Sequence, residues 1–356
     1  MIAKTAKART GQRLLAAFRE AGADEVSPDV LLPADTLLDL YGEDIRARAY
    51  VTTDPLRGEV ALRPDFTVPV VRLHMQDGAD PARYCYLGEV FRKQDPGEER
   101  PADPRDNEYL QVGFEVFDRD VATADAEVFA LFHRLLAPLR LTPVMGDMGL
   151  VRDAIAALPL AALRRSALLH HIWRPVRFER LLARFSAPVP PRHPARSEAP
   201  WTGRRSREEM EARLLRLKVD SAEPPLAPDA AEALRRLLAV AGPAPAALTD
   251  LRRLAGDWPG IAEAVERLAR RLSLIAGAGV PLDVIGFDAS HGRGTMEYYD
   301  GMTFSFLAPG RADWPPVASG GRYDLLTAEL GRGAAIPAVG GIIRPGLVAE
   351  LEAGRC

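Results

Sequence analysis

Several polar side chains in this sequence have types and spacings that can do chemistry. Between Tyr109 and Phe117, Gln111, Gly113 and Glu115 alternate with Leu110, Val112, Phe114 and Val116, which is the period of a half-buried strand. An amide and a carboxylate then flank a position without a side chain, all on one face. Either this is an ordinary amphipathic strand with a solvated face, or it is the floor of a polar pocket with room above Gly113. Asp65 and Thr67 stand where a strand runs into a helix, and residues of these types suit a helix cap. Arg92 ends a strand on the same face as Tyr86, Gly88 and Val90; it is either a solvated edge charge or an anion clamp. Glu297, Tyr298 and Tyr299 precede the turn pair Asp300-Gly301. On a strand Glu297 and Tyr299 share one side and Tyr298 takes the other.

The elements that must position these groups follow from periodicity and punctuation. An amphipathic helix is expected over residues 10–21, a short apolar run over 30–33, and a short helix over 34–41. Two strands, 46–53 and 59–62, are joined by a turn, and a helix covers 68–75. The clearest strands, 82–93 and 107–118, form an antiparallel hairpin around the loop 94–106, long enough to be functional. A helix spans 122–139. From about residue 149 to 279 the chain is rich in Ala, Leu and Arg, with helical periodicity at 160–169, 176–185, 230–241, 247–254 and 261–276. A proline-rich, basic connector occupies 186–204. The adjacent His170 and His171 would point about 100° apart on a helix, a poor geometry for a shared metal. Strands resume at 282–290 and 295–308, with Asp300-Gly301 as the turn inside the latter. Ser319-Gly320-Gly321-Arg322-Tyr323-Asp324 then makes a close backbone approach into a helix over 323–330. A buried strand (338–343) and a short helix to about 351 close the chain. The organisation is a discontinuous core, 1–150 and 280–356, with an α-helical insertion at 151–279.

The 356 residues carry a formal charge of -3, with 47% hydrophobic and 27% charged residues. That describes a soluble globular chain and argues against a general nucleic-acid binder, whose domain would be strongly basic. The two cysteines, Cys85 and Cys356, make neither a disulfide framework nor a zinc spacing. The N-terminus lacks the apolar core of a signal peptide, and no apolar run reaches membrane-spanning length. A cytoplasmic protein without metal or cofactor is expected.

The order and spacing of the motifs go further. Leu62-Arg63-Pro64-Asp65-Phe66-Thr67, Phe91-Arg92, Gln111-Val112-Gly113-Phe114-Glu115-Val116-Phe117, Glu297-Tyr298-Tyr299 and Gly320-Gly321-Arg322-Tyr323-Asp324 together resemble the histidyl-tRNA synthetase core, over about residues 10–150 and 280–356. The resemblance implies an α+β fold of the class II aminoacyl-tRNA synthetase type: a mainly antiparallel sheet flanked by helices. It places Asp65, Thr67 and Gln111 around the α-ammonium of a bound histidine, with Glu115 and Tyr299 at the imidazole. Arg92 stands at the carboxylate, and Arg293 and Tyr298 complete the expected ligand set. These roles are chemically sensible, because acceptors satisfy ammonium donors and a carboxylate with a phenol can pair the two ring nitrogens.

The departures from the synthetase pattern concern ATP and tRNA. Gln94 replaces the glutamate two residues after the motif arginine. Leu347 stands where an ATP-clamping arginine is expected, with Arg344 three residues early. Arg293 is one position out of register. Loop 94–106 carries Asp95, Glu98, Glu99, Asp103 and Asp106 against Arg100 and Arg105, a poor setting for a triphosphate. After the last synthetase-like helix no anticodon-binding domain is expected. This pattern resembles the regulatory subunits of ATP phosphoribosyltransferase, a paralogous group of the synthetases. That resemblance implies a non-catalytic chain in a hetero-oligomer with the short-form catalytic subunit, self-association, and feedback regulation of histidine biosynthesis by histidine. It implies no nucleic acid and no membrane. A truncated, histidine-activating synthetase-like enzyme is the competing reading. A ligase joining an amino acid to another acceptor and a stand-alone histidine-binding module are further ones.

Overall fold

The computed structural model describes residues 3–34, 48–93, 107–188, 206–294, 298–331 and 334–354. Most of the helix expected over 34–41, the loop 94–106 with Gln94, nearly all of the connector 186–204, and Glu297 lie outside the described residues. The elements are α1 (Lys4–Glu20), β1 (Asp24–Glu25), β2 (Leu31–Pro33), β3 (Val51–Asp54), β4 (Gly58–Leu62), α2 (Thr67–Asp77), β5 (Ala82–Phe91), β6 (Glu108–Phe117) and α3 (Val121–Leu136). There follow β7 (Thr142–Asp147), α4 (Met148–Ala156), α5 (Ala162–His170), α6 (Pro175–Ser186), α7 (Arg207–Ala222), α8 (Pro228–Leu238), β8 (Ala241–Pro243), α9 (Ala244–Asp257) and α10 (Ala262–Gly277). Last come β9 (Gly286–Asp288), β10 (Met302–Leu307), β11 (Ala318–Arg322), α11 (Asp324–Leu330), β12 (Ala338–Ile343) and α12 (Pro345–Ala353).

Nine strands form the main sheet in the order β1-β5-β6-β12-β11-β10-β7-β9-β8. Every pairing from β5 to β7 is antiparallel; β1 joins β5, and β9 joins β7, in parallel. The small sheet β2-β4-β3 is antiparallel. The β5–β6 hairpin pairs Ala82 with Phe117 through to Phe91 with Glu108, as the alternation predicts.

The sheet separates two apolar layers. Val112, Phe114 and Val116 of β6 face the larger one, with Phe18 of α1 and Phe129 and Phe132 of α3. Its rings pack closely, Phe18 lying 5.3 Å from Phe114 and 5.5 Å from Phe132. Phe117 faces the smaller layer, together with Phe66, Val70, Tyr84, Tyr86, Tyr298, Tyr299 and Tyr323. Both faces of β6 are therefore covered, and Gln111 and Glu115 are each 1% exposed. The solvated-face reading of this strand does not hold.

Two other expectations need correction. Residues 282–290 are not one strand: a 3-10 turn (Leu282–Val284) precedes the three residues of β9. Tyr298 and Tyr299 are not in a strand either, so their side chains do not alternate; both lie in the smaller layer with ring centroids 4.8 Å apart. Strand β7 was not expected, because Pro143 and Gly146 interrupt its pattern. It lies inside the sheet, between β10 and β9.

A chain of buried ion pairs fastens the helices around α10 to the sheet. Arg271 of α10 donates to Asp125 of α3 and to Asp147 at the end of β7, each at 2.6 Å. The other Asp125 oxygen accepts from Arg322 of β11 at 2.7 and 2.9 Å. Arg322 also reaches Asp324 at 2.9 Å. The Asp125 side chain is 0% exposed, and those of Arg271 and Arg322 are 7% and 4% exposed. Deleting one partner of such a chain leaves charges buried without compensation. We therefore expect Asp125→Asn to lose about 3–5 kcal/mol of stability, read from the urea midpoint. A loss under about 1 kcal/mol, typical of a surface pair, would show the chain to be energetically idle.

Candidate functional site

On the smaller-layer face, four strands present glycine where a neighbour needs space. Tyr86 of β5 pairs with Gly113 of β6, Glu115 of β6 with Gly340 of β12, and Gly340 with Gly321 of β11. A Cβ at Gly113 would run into the Tyr86 ring, and one at Gly340 into the Glu115 carboxylate. A Cβ at Gly321 would lie 2.8 Å from Tyr299 Cδ1. The room expected above Gly113 thus exists, and the phenol of Tyr86 fills it. Glycine lets three side chains lie flat on the sheet.

Phe66, at the start of α2, holds Tyr86 in that position. The two rings stack at 4.2 Å and 11°. Arg63 covers the outer face of Phe66 at 4.0 Å and is anchored by carbonyls, Nε on Glu89 and Nη1 on Pro28 at 2.9 and 2.6 Å. A Cβ on Gly88 would come within 2.5 Å of Arg63 Nη2. The motif arginine and glycine thus support the site from behind.

Glu115 is the centre of the cluster. Tyr86 donates to Oε1 at 2.9 Å, Tyr323 to Oε2 at 2.6 Å, and Thr67 to Oε1 at 3.4 Å. Burial pushes its carboxyl up to about 7, against the pull of the Tyr323 and Tyr86 hydrogen bonds; nearby Asp65 pushes it up further. The Tyr86 and Tyr323 phenols lie well above their ordinary range, first from burial and then from the adjacent Glu115. Tyr299 is raised by the same two causes. Tyr298 donates to Thr67 Oγ1 at 3.4 Å. Asp65 accepts the Thr67 backbone N–H at 3.1 Å, a local turn contact. Phe66 is the N-cap of α2 and no side chain among the described residues caps it, so the capping reading does not hold.

Gln111 sits one pleat along. Its Nε2 donates to Tyr109 at 3.4 Å, while its amide oxygen is buried without a hydrogen-bond partner among the described residues. Such an acceptor is costly unless something donates to it. Arg92 donates to the Pro64 carbonyl at 2.7 Å, and its Nη2 lies 3.9 Å from Asp65 Oδ2. Arg344, dismissed on register, belongs here too. Burial depresses its pKa, and Tyr109, Arg92 and Tyr299 are its charged and polar neighbours.

Asp65, Thr67, Arg92, Gln111, Glu115, Tyr298 and Tyr299 are thus gathered at one end of α2 and the hairpin. Arg293 has other neighbours. It donates from Nε to the Ile172 carbonyl at 3.0 Å and lies over Phe178 at 4.6 Å, and its Nη2 is buried without a partner among the described residues. Its contacts are to the α5–α6 region. Tyr86, Tyr323 and Arg344 are the residues sequence reasoning missed. Tyr86 had a signal, since it stands opposite Gly113 in hairpin register. Tyr323 had one as well: it follows Arg322, the last residue of β11, and successive residues of an extended chain take opposite faces. Chemically, the cluster combines acceptors (two carboxylates, hydroxyls and an unmatched amide oxygen) with two guanidinium groups. That set suits a small zwitterion with an additional N–H donor. No group of three or more His, Cys, Asp or Glu residues suited to a metal occurs among the described residues.

Comparison with known proteins agrees with the motifs. The family model of histidyl-tRNA synthetase matches residues 3–187 and 204–345. The chain is 34% identical to the ATP phosphoribosyltransferase regulatory subunit of Mesorhizobium japonicum, covering 92% of each chain. It is 31% identical to that of Rhizobium rhizogenes, covering 92% of this chain and 93% of the relative. Among solved structures, an ATP phosphoribosyltransferase regulatory subunit/histidyl-tRNA synthetase from Bacillus halodurans aligns with a TM-score of 0.71 at 21% identity, covering 98% of this chain and 79% of that one. Histidyl-tRNA synthetase from Nostoc aligns at 0.65 and 17% identity, covering 99% and 73%. The fold is the class II synthetase fold of these neighbours. By family model and by full-length relatives, the chain belongs to the ATP phosphoribosyltransferase regulatory subunits, a branch of the histidyl-tRNA synthetase family.

Proposed function

We propose that this chain is the non-catalytic regulatory subunit of ATP phosphoribosyltransferase and that its glycine-floored cluster binds histidine as a feedback signal. It works in a hetero-oligomer with the short-form catalytic subunit, is required for the first step of histidine biosynthesis, and self-associates within that assembly. Its setting is the cytoplasm, and it engages neither nucleic acid nor membrane; among the described residues no helix is long and apolar enough to cross one. Residues 151–279 act as a mainly helical insertion in the core formed by 1–150 and 280–356, to whose sheet they also contribute the edge strand β8.

One observation carries the ligand assignment. Asp65, Thr67, Gln111, Glu115, Tyr298 and Tyr299 come from three separate stretches of sequence into a single buried polar cluster. The unmatched Gln111 oxygen, with Asp65 and Thr67, suits an α-ammonium group. Glu115 and Tyr299 suit the imidazole, and Arg92 and Arg344 the carboxylate. Both Glu115 oxygens are taken by phenols, so the ring enters by exchanging with Tyr86 or Tyr323. That exchange is where histidine binding can change the conformation, and regulation requires such differential contact. A coupling of about 1–3 kcal/mol between histidine and the partner's active state would suffice.

Mixing the chain with the short catalytic subunit should give a stable complex with ATP phosphoribosyl transfer that the catalytic subunit alone lacks. Full activity of that subunit alone would contradict the role. Histidine-dependent ATP–pyrophosphate exchange by the isolated chain would establish the synthetase-like reading instead. For the pocket, calorimetry should show histidine binding abolished in Glu115→Ala while circular dichroism remains folded. In the wild-type chain affinity should fall by up to about tenfold per pH unit below about 7. The sign follows from the chemistry: protonation converts Glu115 from a charged acceptor to a neutral acid just as the imidazole gains charge. Unchanged binding in Glu115→Ala would remove the pocket assignment.

A further inference from the structure

We propose that the groove between α7 and the α5–α6 pair docks an acidic amphipathic helix of the catalytic partner; the assignment rests on the regulatory-subunit role given above. Helix α7 has its own start signal, a capping box in which Ser206 accepts from Glu209 N–H while Glu209 accepts from Ser206 N–H. Yet of its sixteen residues only Asp220 is buried. A helix with so little buried face is poorly stabilised by packing.

Its inward stripe explains the gap. Glu209, Ala212, Arg213, Arg216, Leu217 and Asp220 recur at helical spacing and face the groove. Only the C-terminal end of the stripe is fastened: Asp220 accepts from Arg164 Nε at 2.8 Å and from Arg184 Nη2 at 2.6 Å. Further up, Arg213 and Arg216 take the places where apolar residues would close the helices together. A cavity of about 640 Å³ remains, walled by Leu163, Ala167, Leu181, Phe185 and Leu217. On its wall Leu163 is a large apolar side chain that stays 42% exposed. Apolar patches of this kind rimmed by charge mark interaction surfaces, and a groove beside a helix is a common seat for an amphipathic helix.

Charge decides the occupant. Among the described residues Arg213 and Arg216 have no carboxylate partner, whereas Arg164 and Arg184 are matched by Asp220. The groove therefore calls for carboxylates beside an apolar stripe. The chain's own sequence before α7 carries Arg192, Arg196, Arg204 and Arg205 against Glu198, the wrong sign. A second copy docking about a twofold axis would bring the same Arg213 and Arg216 face to face. A partner helix carrying Asp or Glu meets both requirements.

The test uses the full chain and the short catalytic subunit, with calorimetry at low and at physiological salt. Arg213→Glu combined with Arg216→Glu should weaken the complex at least about tenfold and flatten its salt dependence, whereas the lysine pair should retain most of the affinity. Leu163→Glu, at an exposed wall position, should weaken it as well. Histidine binding by the variants should be unchanged, since none of these residues touches the pocket. Affinity for the catalytic subunit within about twofold of wild type in the charge-reversed and Leu163 variants would overturn the proposal. If light scattering shows altered self-association while partner affinity is kept, the groove belongs to a second copy. If the wild-type chain fails to bind the catalytic subunit at all, the regulatory role falls and this proposal with it.

Discussion

The site depends on one constraint, a carboxylate held out of water between two phenols on a glycine floor. Glu115 has no solvent to stabilise its charge, so its ionisation rests on Tyr86, Tyr323 and Thr67. The phenols reach it only because Gly113 and Gly340 carry no side chains. Hydrogen bonds to a buried charge are strong, and their loss leaves an expensive unpaired group. A ligand that replaces one phenol must therefore offer an equivalent donor. An imidazole N–H does so, and an apolar or acceptor-only side chain does not. For the proposed histidine site, selectivity would follow from the cost of leaving Glu115 unmatched.

The same strands connect this site to the rest of the molecule. Arg322 and Tyr323 are neighbours in sequence, one entering the buried ion chain with Asp125 and Arg271, the other holding Glu115. Asp300 follows Tyr299 and accepts from Asp324 and Leu325 N–H at 3.1 and 2.6 Å. Its carboxyl is pushed up to about 6 by burial and by the neighbouring Asp324. A displaced Tyr323 or Tyr299 would thus pull on groups that fasten α3, α10 and α11 to the sheet. Buried ion pairs are weak evidence for net stability, and a role in fixing alternative arrangements is their better-attested use. This chain of contacts gives a physical route from a ligand on the smaller layer to the α10 side of the molecule.

Much of the fold was legible because strong local patterns agreed with motif order. The β5–β6 hairpin declared itself through ten-residue alternation, and the helices from α5 to α10 through their periodicity, though α7 was not anticipated and buries almost nothing. What escaped depended on partners distant in sequence. That Tyr86 fills the space over Gly113 follows from cross-strand register, which the alternation within either strand alone does not fix. The non-alternating Tyr298 and Tyr299 required knowing that their segment is not a strand. Arg344 was set aside by counting along the chain, yet it leaves β12 beside Arg92. Arg293, carried over by resemblance, turns to Ile172 and Phe178. Counting residues locates a motif; it does not aim a side chain.

The most direct measurement of the central claim is a crystal structure of the chain with histidine bound. The account predicts the imidazole within hydrogen-bond distance of Glu115 and Tyr299, with Tyr86 or Tyr323 turned away from the carboxylate. It also predicts the α-ammonium on Asp65, Thr67 and the Gln111 oxygen. Histidine bound elsewhere, with both phenols still closed on Glu115, would contradict it.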